Sequence, residues 1–130
     1  MRTPEEILRD AKSIAVVGAS PNPARPSHGV TAYLVQAGYR VIPVNPEAGG
    51  EVLGLHCVAS LAELDEPVDL VDVFRRSEYC AEVAEEAAAA RAGALWLQLG
   101  VVSPEARRIA EEHGMDFVEN ECTAIVHRRL

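Results

Sequence analysis

A short glycine-containing turn near the amino end of the chain has the residue types of an anion-binding site. The apolar run at residues 13–18 ends in Gly18, Ala19 and Ser20 follow, and Ser27 is predicted to cap a helix soon afterwards. A glycine after a buried strand, followed by a helix N-terminus, brings free backbone N–H groups and the positive end of the helix dipole together. This arrangement favours a phosphate group, in particular a pyrophosphate.

The same turn lacks the patterns of the common nucleotide sites. The dinucleotide motif G-x-G-x-x-G is absent, because Ser20 and Pro23 stand where its second and third glycines would be. Asn45 ends the second predicted strand, where an NAD-binding protein usually has an acidic residue. The motif G-x-x-x-x-G-K-[ST] is also missing. NAD binding and ordinary ATP hydrolysis are therefore disfavoured.

The remaining reactive side chains form no recognisable catalytic or metal-binding pattern. The histidines are scattered, with no pair at helical spacing and no cysteine at zinc spacing. Cys57, Cys80 and Cys122 have no C-x-x-C spacing, and we interpret them as unbridged thiols. Asp69 and Asp72 border a buried run and are predicted to mark the ends of a strand. We predict no metal site and no catalysis by the chain alone.

Composition and charge exclude several classes of function. The 130 residues are 48% apolar and 25% charged, as in average soluble proteins, and we predict one domain over residues 1–130. The net charge of −8 opposes binding to nucleic acid or to an anionic membrane. No run approaches the roughly 20 apolar residues of a membrane span, and the first ten residues have no signal-peptide pattern. We expect a cytoplasmic protein.

Short apolar runs alternate with helical patterns along the chain. The predicted strands are 13–18, 39–44, 68–74, 94–99 and 115–118. Helices are predicted at 27–38, 60–64, 78–91 and 103–113, with Ser27, Ser77 and Ser103 as N-caps, and residues 47–60 as a loop with a small turn of structure. Parallel neighbours need crossover helices. The pattern therefore predicts an α/β fold with a Rossmann-like, doubly wound, mostly parallel five-stranded sheet.

A ligand of such a sheet binds beyond the carboxyl ends of the strands. In this chain those ends are residues 18–20, 44–46, 74–76, 98–100 and 119–122. Arg75 and Arg76 are adjacent and should point in different directions, so that one faces the crevice while the other pairs with glutamates of the next helix. We expect function at this edge.

Four segments resemble one family in both order and spacing. They are I-A-V-V-G-A-S-P-N-P at 14–23, Y-R-V-I-P-V-N-P at 39–46, D-L-V-D-V-F-R-R at 69–76 and L-W-L-Q-L-G-V at 95–101. Together they closely resemble the stand-alone CoA-binding domain proteins. Those proteins are similar to the N-terminal domain of the succinyl-CoA synthetase α subunit and of ADP-forming acyl-CoA synthetases.

The resemblance implies coenzyme A as the cofactor and a phosphate site in the glycine turn. Arg25 would add charge from the same loop, and Arg40 stands where the synthetase domain has a lysine near the phosphates. His28, at the predicted start of the helix, is a further candidate contact. The turn itself would cradle the phosphate with Gly18, Ala19, Ser20 and Pro21.

The resemblance also implies contacts for the rest of the cofactor. Asn45 and Pro46 would border the adenine. Phe74 and Arg75 would line the path of the nucleotide or of the pantetheine arm, and Gln98 would face the same rim.

The implied function is binding without catalysis. The synthetases also need a second domain with a phosphorylated histidine, which the resemblance does not include. We therefore expect a carrier, sensor or regulatory module for CoA or an acyl-CoA. Two alternatives stay open: a CoA-binding component of a split acyl-CoA synthetase and, by fold analogy alone, an NAD(P)-binding domain. The expected partner is the small-molecule CoA ligand, and a protein partner or a homo-oligomer is left open.

Overall fold

A parallel five-stranded sheet forms the centre of the computed structural model, which describes residues 1–47 and 50–130. Its strands are β1 (Ser13–Val17), β2 (Arg40–Val44), β5 (Leu70–Val73), β6 (Ala94–Leu97) and β7 (Asp116–Val118). They lie in the order β2-β1-β5-β6-β7, and all four neighbouring pairs are parallel. Two short strands, β3 (Glu51–Val52) and β4 (Leu55–His56), form a separate antiparallel pair. The predicted Rossmann-like α/β fold is confirmed.

Helices cover both faces of the sheet. The helices are α1 (Pro4–Asp10), α2 (Pro26–Gln36), α3 (Cys80–Ala89), α4 (Pro104–Glu112) and α5 (Thr123–His127), and 3₁₀ turns occupy Leu61–Glu63 and Ser77–Tyr79. Residues of α1, α2 and α5 pack with one side of the strands, and residues of α3 and α4 pack with the other. Within the part of the chain that the structure describes, no helix has the length and apolar character needed to span a membrane.

The central strands are buried on both faces, which explains their continuous apolar sequences. Every residue of β1, β5 and β6 is buried. Successive side chains alternate between the two faces, so Val16 and Trp96 belong to one core, while Val17 and Leu97 belong to the other. Trp96 is fully buried, and its indole N–H donates to the Glu121 carbonyl at 2.8 Å.

Two of the three predicted N-caps are wrong. Helix α2 begins at Pro26, so Ser27 lies inside the first turn, where it is buried. Proline has a fixed φ suited to the first helical position, so the N-cap is Arg25, two residues before the predicted one. Ser77 begins a 3₁₀ turn, and its hydroxyl instead accepts from the Val102 N–H. Ser103 caps α4 as predicted, accepting from the Ala106 N–H at 3.1 Å.

Candidate functional site

A cleft of about 1200 Å³ opens at the carboxyl edge of the sheet. It lies where β1 and β5 are neighbours, because the chain passes from β1 to β2 on one side and returns to β5 on the other. Open α/β sheets bind their ligands at such a reversal of strand order. The lining includes Gly18 after β1, Asn45 after β2, Phe74 after β5, Gln98 after β6 and Cys122 beyond β7.

Gly18 allows β1 and β5 to approach closely at the base of the cleft. Its φ is +87°, and a Cβ at this position would lie 2.5 Å from the Phe74 carbonyl oxygen. The Gly18 N–H already donates to the Val44 carbonyl at 2.9 Å. Gly18 therefore shapes the turn and contributes no free N–H group to a ligand.

The free backbone donors lie beyond Gly18. Among the described residues, the N–H groups of Ala19, Ser20 and Ser27 have no hydrogen-bond partner. Those of Asn22 and Ala24 are used within the loop, where they donate to the Ser20 Oγ and the Asn22 Oδ1. Ser20 and Ser27 line the cleft, so two unpaired donors stand at its wall near the positive end of the α2 dipole.

Asn45 holds two of the loops together. Its Nδ2 donates to the Ala19 carbonyl and its Oδ1 accepts from the Glu47 N–H, both at 2.8 Å. Both polar atoms of this side chain are therefore engaged within the protein. Asn45 lines the cleft while fixing the segment after β2 against the turn after β1.

Three arginines line the cleft: Arg25, Arg75 and Arg76. None of them forms an ion pair with any residue in the described ranges. The guanidinium carbons of Arg75 and Arg76 lie 4.7 and 5.7 Å from the centre of the Tyr79 ring, a cation–π arrangement. The prediction that one of this pair binds glutamates of the next helix is wrong, since both arginines face the cleft. Arg76 therefore lines the cleft as well, although it was not among the predicted cofactor contacts.

Glutamates balance these cations within the same cleft. Glu47, Glu82 and Glu86 belong to the lining, so the formal charges of its arginine and glutamate side chains cancel. An anionic ligand must therefore be held by local contacts rather than by the overall field of the molecule.

A model of the CoA binding domain family matches residues 12–128. The chain belongs to the CoA-binding domain family. It is 45% identical over 123 residues to the protein YneT of Bacillus subtilis, covering 95% of this chain and 90% of YneT. A solved structure from Pyrococcus horikoshii superposes with a TM-score of 0.93 at 38% identity, covering 99% of this chain and 92% of that one.

This CoA-binding domain is also similar to part of a much larger enzyme. Over 86 residues it is 34% identical to the ADP-forming acetate–CoA ligase II of Archaeoglobus fulgidus. The match covers 62% of this chain and 13% of the ligase. The likeness therefore agrees with a CoA-binding unit of the synthetase type, and the activity of the whole ligase is not carried over with it.

Most residues predicted to contact the cofactor line the cleft. The cleft lining includes Gly18, Ser20, Pro21, Arg25, Asn45, Pro46, Phe74, Arg75 and Gln98. Ala19 is fully buried behind the turn, and its contribution is limited to the backbone. His28 is half-buried in the first turn of α2, outside the lining.

Arg40 does not line the cleft, so the structure gives no support to its predicted phosphate contact. It is the first residue of β2, at the amino edge of the sheet, whereas the cleft lies at the carboxyl edge. Its guanidinium is exposed and forms an ion pair with Glu66 at 2.8 Å. The strand separates this side chain from the site.

A buried polar network lies beneath the cleft. Asp72 is fully buried in the middle of β5, so the prediction that it marks a strand end is wrong. Its Oδ1 accepts from Gln98 Nε2, and its Oδ2 accepts from Thr123 Oγ1 at 2.9 Å. Burial raises the pKa of Asp72 to about 7, while the bonds from Gln98 and Thr123 oppose the rise. Asp69 does lie outside the strand, where it accepts from the Lys12 N–H at 2.7 Å.

The three cysteines are free thiols, as predicted. Cys57 and Cys80 are buried, and burial raises the pKa of each thiol, that of Cys80 to about 11. Cys122 is partly exposed and lines the cleft. In the ranges that the structure describes, no cluster of histidine, cysteine, aspartate or glutamate could hold a metal ion.

Proposed function

We propose that this domain binds CoA or an acyl-CoA in the cleft at the carboxyl edge of the sheet. The supporting observation is that three arginines without ion-pair partners in the described chain surround one cleft with unpaired backbone N–H groups. Phosphate groups are the ligands that combine best with this set of donors. Membership of the CoA-binding domain family makes CoA the phosphate compound to test first.

The proposed placement follows the order of the strands. The pyrophosphate lies at Ser20 and Ser27, where free N–H groups and Arg25 converge. The adenosine portion lies towards Asn45 and Pro46, beside β2. The pantetheine arm then continues across the ends of β5 and β6.

The domain serves as a carrier, sensor or regulatory module in this proposal. Its cleft offers phosphate donors and an apolar border, and no nucleophile paired with a base is found among its described lining residues. CoA would be held rather than transformed.

Calorimetric titration with CoA, ADP and NAD tests the proposal. CoA is expected to bind most tightly, and a preference for NAD without CoA binding would refute the assignment. Replacement of Arg75 by alanine removes a charge-assisted contact and is expected to weaken CoA binding about tenfold. Arg40→Ala is the matched control, because it removes the same charge at the opposite edge and should leave the affinity unchanged.

A second candidate function is the CoA-binding component of a split acyl-CoA synthetase. The likeness to the Archaeoglobus fulgidus ligase favours it. Tagged protein would be isolated from its native cells and assayed for ATP-dependent formation of acyl-CoA from CoA and acetate. Activity that disappears in the Arg75→Ala variant would support this role, and the absence of activity in every fraction would rule it out.

A further inference from the structure

Asp72, Gln98 and Thr123 form a closed hydrogen-bonded triangle under the cleft. Gln98 Nε2 donates to Asp72 Oδ1 and also to Thr123 Oγ1, the latter at 3.0 Å. Thr123 in turn donates its hydroxyl hydrogen to Asp72 Oδ2. Asp72 and Thr123 are completely buried, and 5% of Gln98 is exposed.

An ionised Asp72 permits only one orientation of the Gln98 amide. A carboxylate only accepts hydrogen bonds, so both neighbours must donate to it. Thr123 donates its single hydroxyl hydrogen to Asp72, so towards Gln98 it can only accept. The amide nitrogen of Gln98 must therefore face inward, with both of its hydrogens used.

The amide oxygen of Gln98 is left as a free acceptor at the cleft. No described residue donates a hydrogen bond to this Oε1. Every buried side-chain oxygen or nitrogen in the described chain has a hydrogen-bond partner, so an oxygen without one is not buried. The oxygen is therefore accessible, and Gln98 lines the cleft. A ligand that meets it must supply a hydrogen-bond donor.

We infer that Asp72 and Thr123 are positioning residues, which hold the Gln98 carbonyl oxygen as an acceptor for a donor on the pantetheine arm. This inference rests on the proposed function and adds to it the part of the ligand that is recognised. Neighbouring strands lie about 4.8 Å apart, so Gln98, after β6, is roughly 10 Å from the turn after β1. With the pyrophosphate at that turn and the adenosine beside β2, only the arm reaches Gln98. It carries two amide N–H groups, a hydroxyl group and a thiol.

Protonation of Asp72 would release this orientation. A protonated carboxyl group can donate to the Gln98 oxygen, which allows the amide to turn its nitrogen towards the cleft. Burial raises the pKa of Asp72 to about 7, so the change falls between pH 6 and pH 8. Preference for the arm is therefore strongest above this range.

Among the residues that the structure describes, no other ionisable group affects Asp72. Val16 of β1 and Trp96 of β6 flank it in register, and neither strand contains an ionisable residue. The helices on this face carry Glu5, Glu6, Arg9 and Asp10 on α1, His28 and Tyr33 on α2, and His127 on α5. His127 is hydrogen-bonded to the Tyr33 hydroxyl at 2.8 Å, and none of these helical side chains in the described structure shifts the pKa of Asp72.

The test compares CoA with 3′-phospho-ADP, which lacks the arm, by calorimetry at pH 6, 7 and 8. The dissociation constant of 3′-phospho-ADP divided by that of CoA is the ratio that measures the contribution of the arm. The asparagine of Asp72→Asn can both donate to and accept from Gln98, so the Gln98 amide is no longer held in one orientation. This ratio should therefore fall about fivefold at pH 8, which corresponds to the loss of about one net hydrogen bond to the arm. The fall in the ratio should be much smaller at pH 6, where Asp72 of the wild-type protein is itself mostly protonated. Protonation of the nucleotide affects both proteins equally, so it cancels when they are compared at the same pH.

Thr123 supplies a second, independent pair of variants. Thr123→Val keeps the shape and removes one of the two acceptors that hold the Gln98 amide. It should reduce the ratio, but less than Asp72→Asn does, because the ionised Asp72 still accepts from Gln98. Thr123→Ser restores the hydroxyl and should restore the ratio. Asp69→Asn is the control, because Asp69 directly precedes β5 and bonds to Lys12 and Ser13 at the opposite end of the strand from the cleft; it should alter stability without altering the ratio.

The outcomes separate this inference from the function on which it rests. If the wild-type protein binds neither ligand, the proposed function fails. If it binds CoA but the folded Asp72→Asn variant keeps the same ratio at every pH, the positioning role is overturned. An equal loss of affinity for both ligands would also overturn it, because that loss has no connection with the arm.

Discussion

The turn after β1 has no room for a side chain at Gly18. A Cβ at this position would lie 2.5 Å from the Phe74 carbonyl oxygen. That contact joins residues far apart in sequence, and no local pattern reveals it. Gly18→Val would therefore strain the sheet as well as any ligand site.

Arg40 and Asp72 were misplaced for different physical reasons. Strand direction alone could have excluded Arg40, because it precedes a strand whose ligand edge lies at the other end. Asp72 lies within the run D-L-V-D-V, and an acidic residue in a buried strand is uncommon enough to suggest a polar network. Its partners, Gln98 and Thr123, follow other elements, so only the tertiary structure could identify them.

Asp72 should make the stability of the protein depend on pH. Its pKa is about 7 in the folded state and close to 3.8 when unfolded, so the folded protein binds more protons between these values. The free energy of unfolding should therefore increase as the pH falls from 7 towards 4, by about 1.4 kcal/mol per pH unit from this group. Urea denaturation at pH 5, 6 and 7 measures the trend.

The Asp72→Asn variant isolates that contribution. Other groups titrate equally in both proteins, so the difference in unfolding free energy should favour the variant increasingly as the pH rises through this window. Parallel curves for the two proteins would mean that Asp72 ionises normally despite its burial.

At the scale of elements, strands were easier to predict than helix ends. A strand buried on both faces has a continuous apolar sequence, and all five central strands were located. Helix α1 was missed although it has a complete capping box, in which Thr3 accepts from the Glu6 N–H and Glu6 from the Thr3 N–H. Helix α5 has five residues and no side-chain cap, so its formation depends on packing that the sequence does not show.

The β3–β4 hairpin contains a strained turn that can be improved. Leu53 and Gly54 connect the strands with φ values of 53° and 75°, the conformation of a type I′ turn. Leucine adopts this left-handed conformation at a cost, whereas asparagine tolerates it. Leu53→Asn should raise the free energy of unfolding by about 1 kcal/mol, measured by urea denaturation.

A β-branched replacement provides the opposite control. Leu53→Val should lower the free energy of unfolding, because branching at Cβ makes the left-handed conformation less favourable still. If both variants change stability equally, the effect comes from loss of the leucine side chain, which is 41% exposed, and not from the turn.

At the scale of the whole molecule, the order of the strands creates the site. The chain reverses direction across the sheet between β1 and β5, and the diverging loops leave the cleft open there. The alternation of strands and helices predicted the edge on which the cleft lies. The lining was predicted less completely, because the charge balance depends on side chains of α3, Glu82 and Glu86, that line the same cleft as the arginines.

That charge balance leads to a prediction about the field acting on an anionic ligand. The protein has a net charge of −8, and Glu82 and Glu86 line the proposed CoA site. Replacing both with glutamine should strengthen CoA binding about threefold at low ionic strength, because two repulsive charges are removed. The gain should shrink in about 0.5 M salt, where screening is effective within a few ångströms. The control, Glu5→Gln with Asp65→Asn, removes the same charge outside the lining, and an equal gain there would show that only net charge matters.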